Sequence, residues 1–135
     1  MKLATLLLTL AALPLCAATE REIVAATLIL EAGCDGVAGL EAVNEVVHNR
    51  ARLRKQSLAA VCLARKQFSA WNRRRIEAGV ALAKQSTLWR EALRIVAAEP
   101  TKRVGASTHY WAHERKADPW GLPIIAVVGR HTFCK

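Results

Sequence analysis

One carboxyl stands out for its placement. Glu31 closes an apolar stretch that runs from Ile23 to Leu30, just before Gly33 and Gly36. Desolvation at the end of such a helix favours the protonated acid, and the negative end of the helix dipole acts in the same direction. A general acid working near neutral pH requires that protonated form. The plainer alternative is a solvated helix-end glutamate, or one paired with an arginine. Asp35 lies four residues on. On an unbroken helix the two Cβ atoms would be about 5–6 Å apart, the arrangement of a carboxylate pair. Gly33 interrupts the helix, and Asp35-Gly36 reads more naturally as a turn.

Two polar–aromatic clusters could hold a substrate rich in hydroxyl groups. Gln67-Phe68-Ser69-Ala70-Trp71-Asn72 gathers amide, hydroxyl and aromatic groups in one loop, and Thr108-His109-Tyr110-Trp111 does the same in a segment of extended character. On a strand, Thr108 and Tyr110 face one way and His109 and Trp111 the other. Anchoring of Phe68 and Trp71 in the core is the competing reading of the first cluster. His109 and His113 are four residues apart, with Glu114 beside them and His131 further on. On a helix that spacing could hold zinc, but the segment is expected to be extended and lacks the HExxH order. No metal or other cofactor is therefore expected. Asn49-Arg50 ends an apolar helical stretch, where Arg50 could buttress a carboxylate or cap the helix.

The elements that must position these groups are mostly helical. Thr19-Glu20-Arg21-Glu22 is a capping-box pattern, so a helix starts there and carries Glu31 in its last turn. Leu40, Val43, Val46 and Val47 recur at helical spacing and predict a second helix over about 39–54. Ser57 caps a short helix through Cys62, 66–72 reads as a loop, 73–84 as a helix, and Ser86 or Thr87 caps another that ends before Pro100. Beyond Pro100 the pattern changes. Val104 to Ala112 and the β-branched Ile124 to Val128, separated by the turn-like Asp118-Pro119-Trp120-Gly121, predict a small antiparallel sheet or hairpin. The fold class is α+β, predominantly helical, in one domain over residues 19–135.

Residues 1–18 read as a secretory signal peptide. Met1-Lys2 supplies a positive start, Leu3 to Leu15 an apolar core, and Cys16-Ala17-Ala18 a small-residue cleavage site. The run is shorter than the ~20 residues of a spanning helix, and no later apolar run is long enough for one. A protein in the periplasm, cell wall or medium is expected, without a stable membrane span and as a monomer. The 135-residue chain carries a net charge of +9, which suits polyanions. No nucleic-acid docking motif is present, which leaves the carboxylates and anionic polymers of a cell envelope. Export permits a disulfide among Cys34, Cys62 and Cys134, with Cys134 the member expected to pin the C-terminus.

Taken in order, these pieces resemble the cell-wall hydrolase family of spore cortex-lytic enzymes. The motifs are Leu30-Glu31-Ala32 with its glycine-containing bend, Val46-Val47-His48-Asn49-Arg50, Gln67-Phe68-Ser69-Ala70-Trp71, Gly105-Ala106-Ser107-Thr108-His109-Tyr110, Pro119-Trp120, and Gly129-Arg130-His131-Thr132-Phe133. The resemblance covers Glu22 to Phe133. It departs after Glu31-Ala32, where the family often has Arg-Gly-Glu and this chain has Gly33-Cys34-Asp35-Gly36, and again at Cys134.

The resemblance implies a lysozyme-like domain whose substrate and partner is peptidoglycan. Glu31 would be the catalytic acid cleaving between N-acetylmuramic acid and N-acetylglucosamine, as a lytic transglycosylase. Gln67, Ser69, Thr108, His109 and Tyr110 would contact sugar hydroxyls, and Trp71 would stack on the sugar or support the cleft floor. A zinc amidase or peptidase using His109, His113 and His131 is the alternative enzyme. A non-catalytic wall-binding module is the alternative outside enzymes.

Overall fold

A computed structural model describes residues 17–113 and 119–135. Residues 1–16, which hold most of the expected signal peptide, and Glu114 and Asp118 lie outside the described residues. Among the described residues five helices come first: α1 (Glu20–Ala32), α2 (Gly36–Arg54), α3 (Leu58–Leu63), α4 (Ile76–Lys84) and α5 (Trp89–Ala97). A three-stranded antiparallel sheet follows: β1 (His109–Ala112), β2 (Ile124–Val128) and β3 (His131–Cys134), in the order β1-β3-β2. Short 3-10 turns occupy Gly33–Asp35 and Ser69–Trp71. The fold is thus mostly helical with a small sheet near the C-terminus, the class expected from the sequence.

The capping box at the start of α1 is formed. Thr19 Oγ1 accepts from the Glu22 amide at 3.2 Å, and Glu22 Oε2 accepts from the Thr19 amide at 3.0 Å. Two backbone donors that a helix start leaves unpaired are satisfied in this way. α1 is the central element, packed against α2, α3, α4 and α5. Its residues Val24, Ala25 and Leu28 are fully buried against Leu40, Val43, Val46 and Val47 of α2 and Phe68 and Phe133 from the loop and sheet, and Ala26 is buried against Val80 and Ala83 of α4. By length and mean hydropathy Glu20–Arg54 could cross a membrane, contrary to the expectation that no such run follows the leader, but half of its most apolar window is buried inside the fold. Its apolar face serves the core.

α2 begins at Gly36, three residues before its apolar pattern predicts, because the 3-10 turn feeds it directly. It also organises the chain leading into the sheet. The buried Glu45 carboxylate accepts from Thr101 Oγ1 (2.5 Å) and from the Arg103 and Val104 amides (2.6 and 2.9 Å). Asn49 Nδ2 donates to the Gly105 and Ser107 carbonyls (2.8 and 2.9 Å), and Arg50 Nε donates to the Thr108 carbonyl (2.7 Å). One face of α2 therefore sets where β1 starts. The predicted strand from Val104 forms only from His109, since 101–108 spends its backbone groups on α2 instead.

The sheet has a third strand, β3, at its centre, which periodicity did not single out. Four residues with every side chain buried show no alternation to read. Gly129, with φ +53°, turns β2 into β3. The C-terminal segment is held by β3 pairing on both sides, not by a disulfide among Cys34, Cys62 and Cys134. Cys34 and Cys62 are free thiols, and Cys134 is buried with its Sγ 3.7 Å from the His109 carbonyl.

Candidate active site

Glu31 lies in the last turn of α1, partly exposed at the floor of a cleft of about 620 Å³ between the α1–α2 pair, the 66–72 loop and the sheet. Three donors hold its carboxylate. Oε1 accepts from Ser69 Oγ at 3.1 Å and from the Ala70 amide at 2.9 Å, and Oε2 accepts from Tyr110 Oη at 3.1 Å. The two segments singled out for polar–aromatic character thus converge on the singled-out carboxyl from opposite sides. The 3-10 turn Ser69–Trp71 aims the Ser69 hydroxyl and the Ala70 amide, and β1 aims Tyr110.

Tyr110 is fixed by rings. It stacks on Phe133 (5.4 Å between centroids), meets the edge of His131 (5.3 Å) and lies near Phe68 (6.5 Å). Burial first, then the neighbouring Glu31 charge, pushes its phenol well above the ordinary range. The phenol accordingly stays a proton donor at any physiological pH.

Beneath this pair lies Arg50, only 8% exposed. Its guanidinium stacks over the Phe68 ring at 5.1 Å, and burial lowers its pKa from the ordinary arginine value. Its Nη1 has no hydrogen-bond partner. The rest of the cleft wall includes Gln67, Asn72, His109, Trp111, Trp120, Arg54 and Lys66. His109 faces the Trp120 ring at 5.3 Å, and its Nδ1 is 2.9 Å from Thr108 Oγ1.

The expected site residues therefore separate into two groups. Gln67, Ser69, His109 and Tyr110 line the cleft. Thr108 stands behind it, with its carbonyl on Arg50 and its hydroxyl on His109. Trp71 turns away into the core, where its Nε1 donates to Thr27 Oγ1 at 3.0 Å and its ring packs so closely on Gly79 that an added Cβ would come within 2.3 Å of it. Its part is to anchor the turn that aims Ser69 and Ala70. Arg54, Lys66 and Trp120 carried no expected role in the cleft. An arginine at a helix end and a lysine in a loop have no sequence signature that sets them apart from solvated charges.

Asp35 is committed elsewhere. Its Oδ2 lies 2.6 Å from His131 Nδ1 and its Oδ1 accepts the Arg130 amide at 2.9 Å, with the side chain only 2% exposed. Burial opposes its ionisation, but the His131 and Arg130 hydrogen bonds and charges outweigh it and hold the carboxyl below its usual value. Glu31 is the one carboxylate lining the cleft among the described residues. The histidines of the alternative zinc reading do not converge. His131 is on Asp35, His113 Nε2 is 2.6 Å from Thr132 Oγ1, His109 is on Thr108, and no group of three ligating side chains is placed to hold a metal among the described residues. A second hollow, of about 510 Å³ beside His48, contains Glu45, whose oxygens are already taken by three donors.

The sequence profile of the cell wall hydrolase family matches residues 35–134, starting four residues after Glu31. No curated protein sequence matches the chain. Among solved structures, the fold is similar to the catalytic domain of the germination-specific lytic transglycosylase SleB from Bacillus anthracis. The TM-score is 0.68 at 19% identity, over 92% of this chain and all of that one. The profile match spans well over half of the chain, and the chain belongs to the cell wall hydrolase family.

Proposed function

We propose that the protein cleaves the glycan strand of peptidoglycan between N-acetylmuramic acid and N-acetylglucosamine as a lytic transglycosylase, with Glu31 as its acid and base. The observation that carries this reading is a cleft carboxylate, the only one among the described residues, held by three donors, with the nearby Asp35 hydrogen-bonded to His131 and the Arg130 amide. Both acceptor sites of Glu31 Oε1 are taken by Ser69 and Ala70, whereas Oε2 has one partner, Tyr110. The proton delivered to the glycosidic oxygen therefore rides on Oε2. As the C1–O bond breaks, charge builds at muramic C1 in an oxocarbenium-like transition state. The carboxylate left behind is stabilised by the Ser69, Ala70 and Tyr110 donors. It then takes the proton of the C6 hydroxyl of the same sugar while O6 bonds to C1. The product is a 1,6-anhydro sugar, Glu31 regains its proton, and no water is consumed.

A hydrolytic course needs a second group to place water or attack C1. Asp35, with both oxygens engaged, is poorly suited to that task. The SleB domain, named a lytic transglycosylase, is consistent with the same chemistry. An exported chain with residues 1–18 as signal peptide fits this substrate, and the positive charge favours an anionic wall.

The test is mass spectrometry of soluble products from purified sacculi. Anhydro-muropeptides are the expected result. Reducing-end muramic acid would replace transglycosylation by hydrolysis. Freed stem peptides would move the protein to the amidases, and binding to sacculi without release would make it a wall-binding module.

A further inference from the structure

The cleft carries three cations beside its catalytic-site carboxylate. Arg50, Arg54 and Lys66 line the same hollow as Glu31. None of them is within ion-pairing distance of a carboxylate among the described residues, whereas Lys84, Arg94 and Arg103 each pair with a glutamate elsewhere. Arg54 Nη2 donates to the neutral Gln67 amide oxygen at 2.8 Å, which fixes the guanidinium at the rim. Arg50 is more than nine-tenths buried and leaves Nη1 unpartnered, an arrangement that costs stability unless something else is bound there.

Lys66 adds a backbone observation. Its φ is +61°, in the left-handed region that a residue with a Cβ enters under strain and glycine enters freely. A lysine at this position brings a cation to the rim where glycine would have suited the turn better. In a concave site with low-dielectric walls, such charges focus their field on what enters.

In an alternating glycan only the muramic residue carries acid groups. Its 3-O-lactyl carboxylate is free when the stem peptide has been removed. Otherwise it is an amide, and the peptide supplies its own carboxylates. N-acetylglucosamine is neutral. Building on the glycan-cleavage reading above, we infer that Arg54 and Lys66, backed by Arg50, bind the carboxylate-bearing substituent of muramic acid. They thereby set the register of the strand, so that the muramic C1–O bond and not the glucosamine one lies over Glu31.

The experiment is equilibrium binding to the Glu31→Gln chain, which leaves the oligosaccharides intact. Four tetrasaccharide probes separate the sources: glycan with free lactyl carboxylates, the same glycan amidated to neutrality, peptide-bearing glycan, and an all-N-acetylglucosamine oligomer. Carboxylated probes should bind at least tenfold more tightly than the two neutral ones. A gain confined to the peptide-bearing probe assigns the contact to stem-peptide carboxylates, and a gain with the free lactyl form assigns it to the sugar's own acid. Arg54→Gln combined with Lys66→Gln should bring all probes within about twofold of each other. Arg54→Lys with Lys66→Arg should keep the preference, which separates charge recognition from loss of the loop. Arg90→Gln, an exposed charge outside the cleft, should leave it intact. Equal affinity for the carboxylated and amidated glycans, or an undiminished preference in the double glutamine variant, overturns the inference. If the carboxylate preference holds but the chain releases nothing from sacculi, the glycosidase reading falls and the recognition stands.

Discussion

Two carboxylates four residues apart meet opposite fates at the junction of α1 and α2. Glu31 ends a helix, opens onto a cleft and is held by a hydroxyl, an amide and a phenol, none of them charged. Asp35 sits in the following 3-10 turn, is shut from solvent, and is tied to the ring of His131 and the amide of Arg130. Residue type is nearly the same, and the partners decide the work. Neutral donors hold the Glu31 carboxylate in place without giving it a fixed counter-ion. Two buried hydrogen-bond partners occupy both Asp35 oxygens and make the group a clamp between the helices and the sheet.

The comparison can be broken from either side. The largest effect belongs to Glu31. Glu31→Gln should leave the melting curve nearly unchanged and lower turnover about 10²–10⁴-fold, the usual contribution of a positioned acid–base group. On the clamp side, Gly129→Ala should cost about 2–4 kcal/mol in urea unfolding, from left-handed strain together with overpacking. Gly129 has φ +53°, and a Cβ there would fall 2.4 Å from the Asp35 carboxyl carbon.

Asp35→Asn should cost about 1–3 kcal/mol, since it removes the charge that His131 faces. The same variant changes the acid limb of stability. The native Asp35 carboxyl lies below its unfolded value of about 3.9, so its contribution is complete above that pH. It is lost as pH falls through the depressed native value. Urea midpoints between about pH 5 and pH 2 should therefore fall less steeply in Asp35→Asn than in the parent. The smallest effect is that of Tyr110→Phe, which keeps the ring stack and removes one donor to Oε2. Turnover should drop about tenfold, at the low end for a hydrogen bond to a charged group.

What was legible in the sequence follows the range of the interactions. The capping box at Thr19, the apolar faces of α1 and α2 and the position of Glu31 rest on neighbours within a few turns, and periodicity displays them. The gathering of Ser69 and Tyr110 around Glu31 was visible only as two clusters of suitable chemistry and through the family resemblance. The Asp35–His131 clamp joins residues 96 positions apart, and no local pattern announces it. Trp71 shows the same limit in reverse. Its place in the Gln67–Asn72 cluster allowed a sugar platform, a support of the cleft floor or a core anchor, and only the hydrogen bond from its Nε1 to Thr27 tells which neighbours it has. A four-residue central strand with all its side chains buried has no alternation to reveal it, which is why β3 had to be seen.

The most direct measurement compares the chain with its Glu31→Gln variant on purified sacculi, with circular dichroism establishing that both are folded and mass spectrometry following the release of products. The account predicts 1,6-anhydro-muropeptides from the parent and essentially none from the variant. A folded Glu31→Gln chain that releases the same fragments at a comparable rate would contradict it and remove Glu31 from the chemistry.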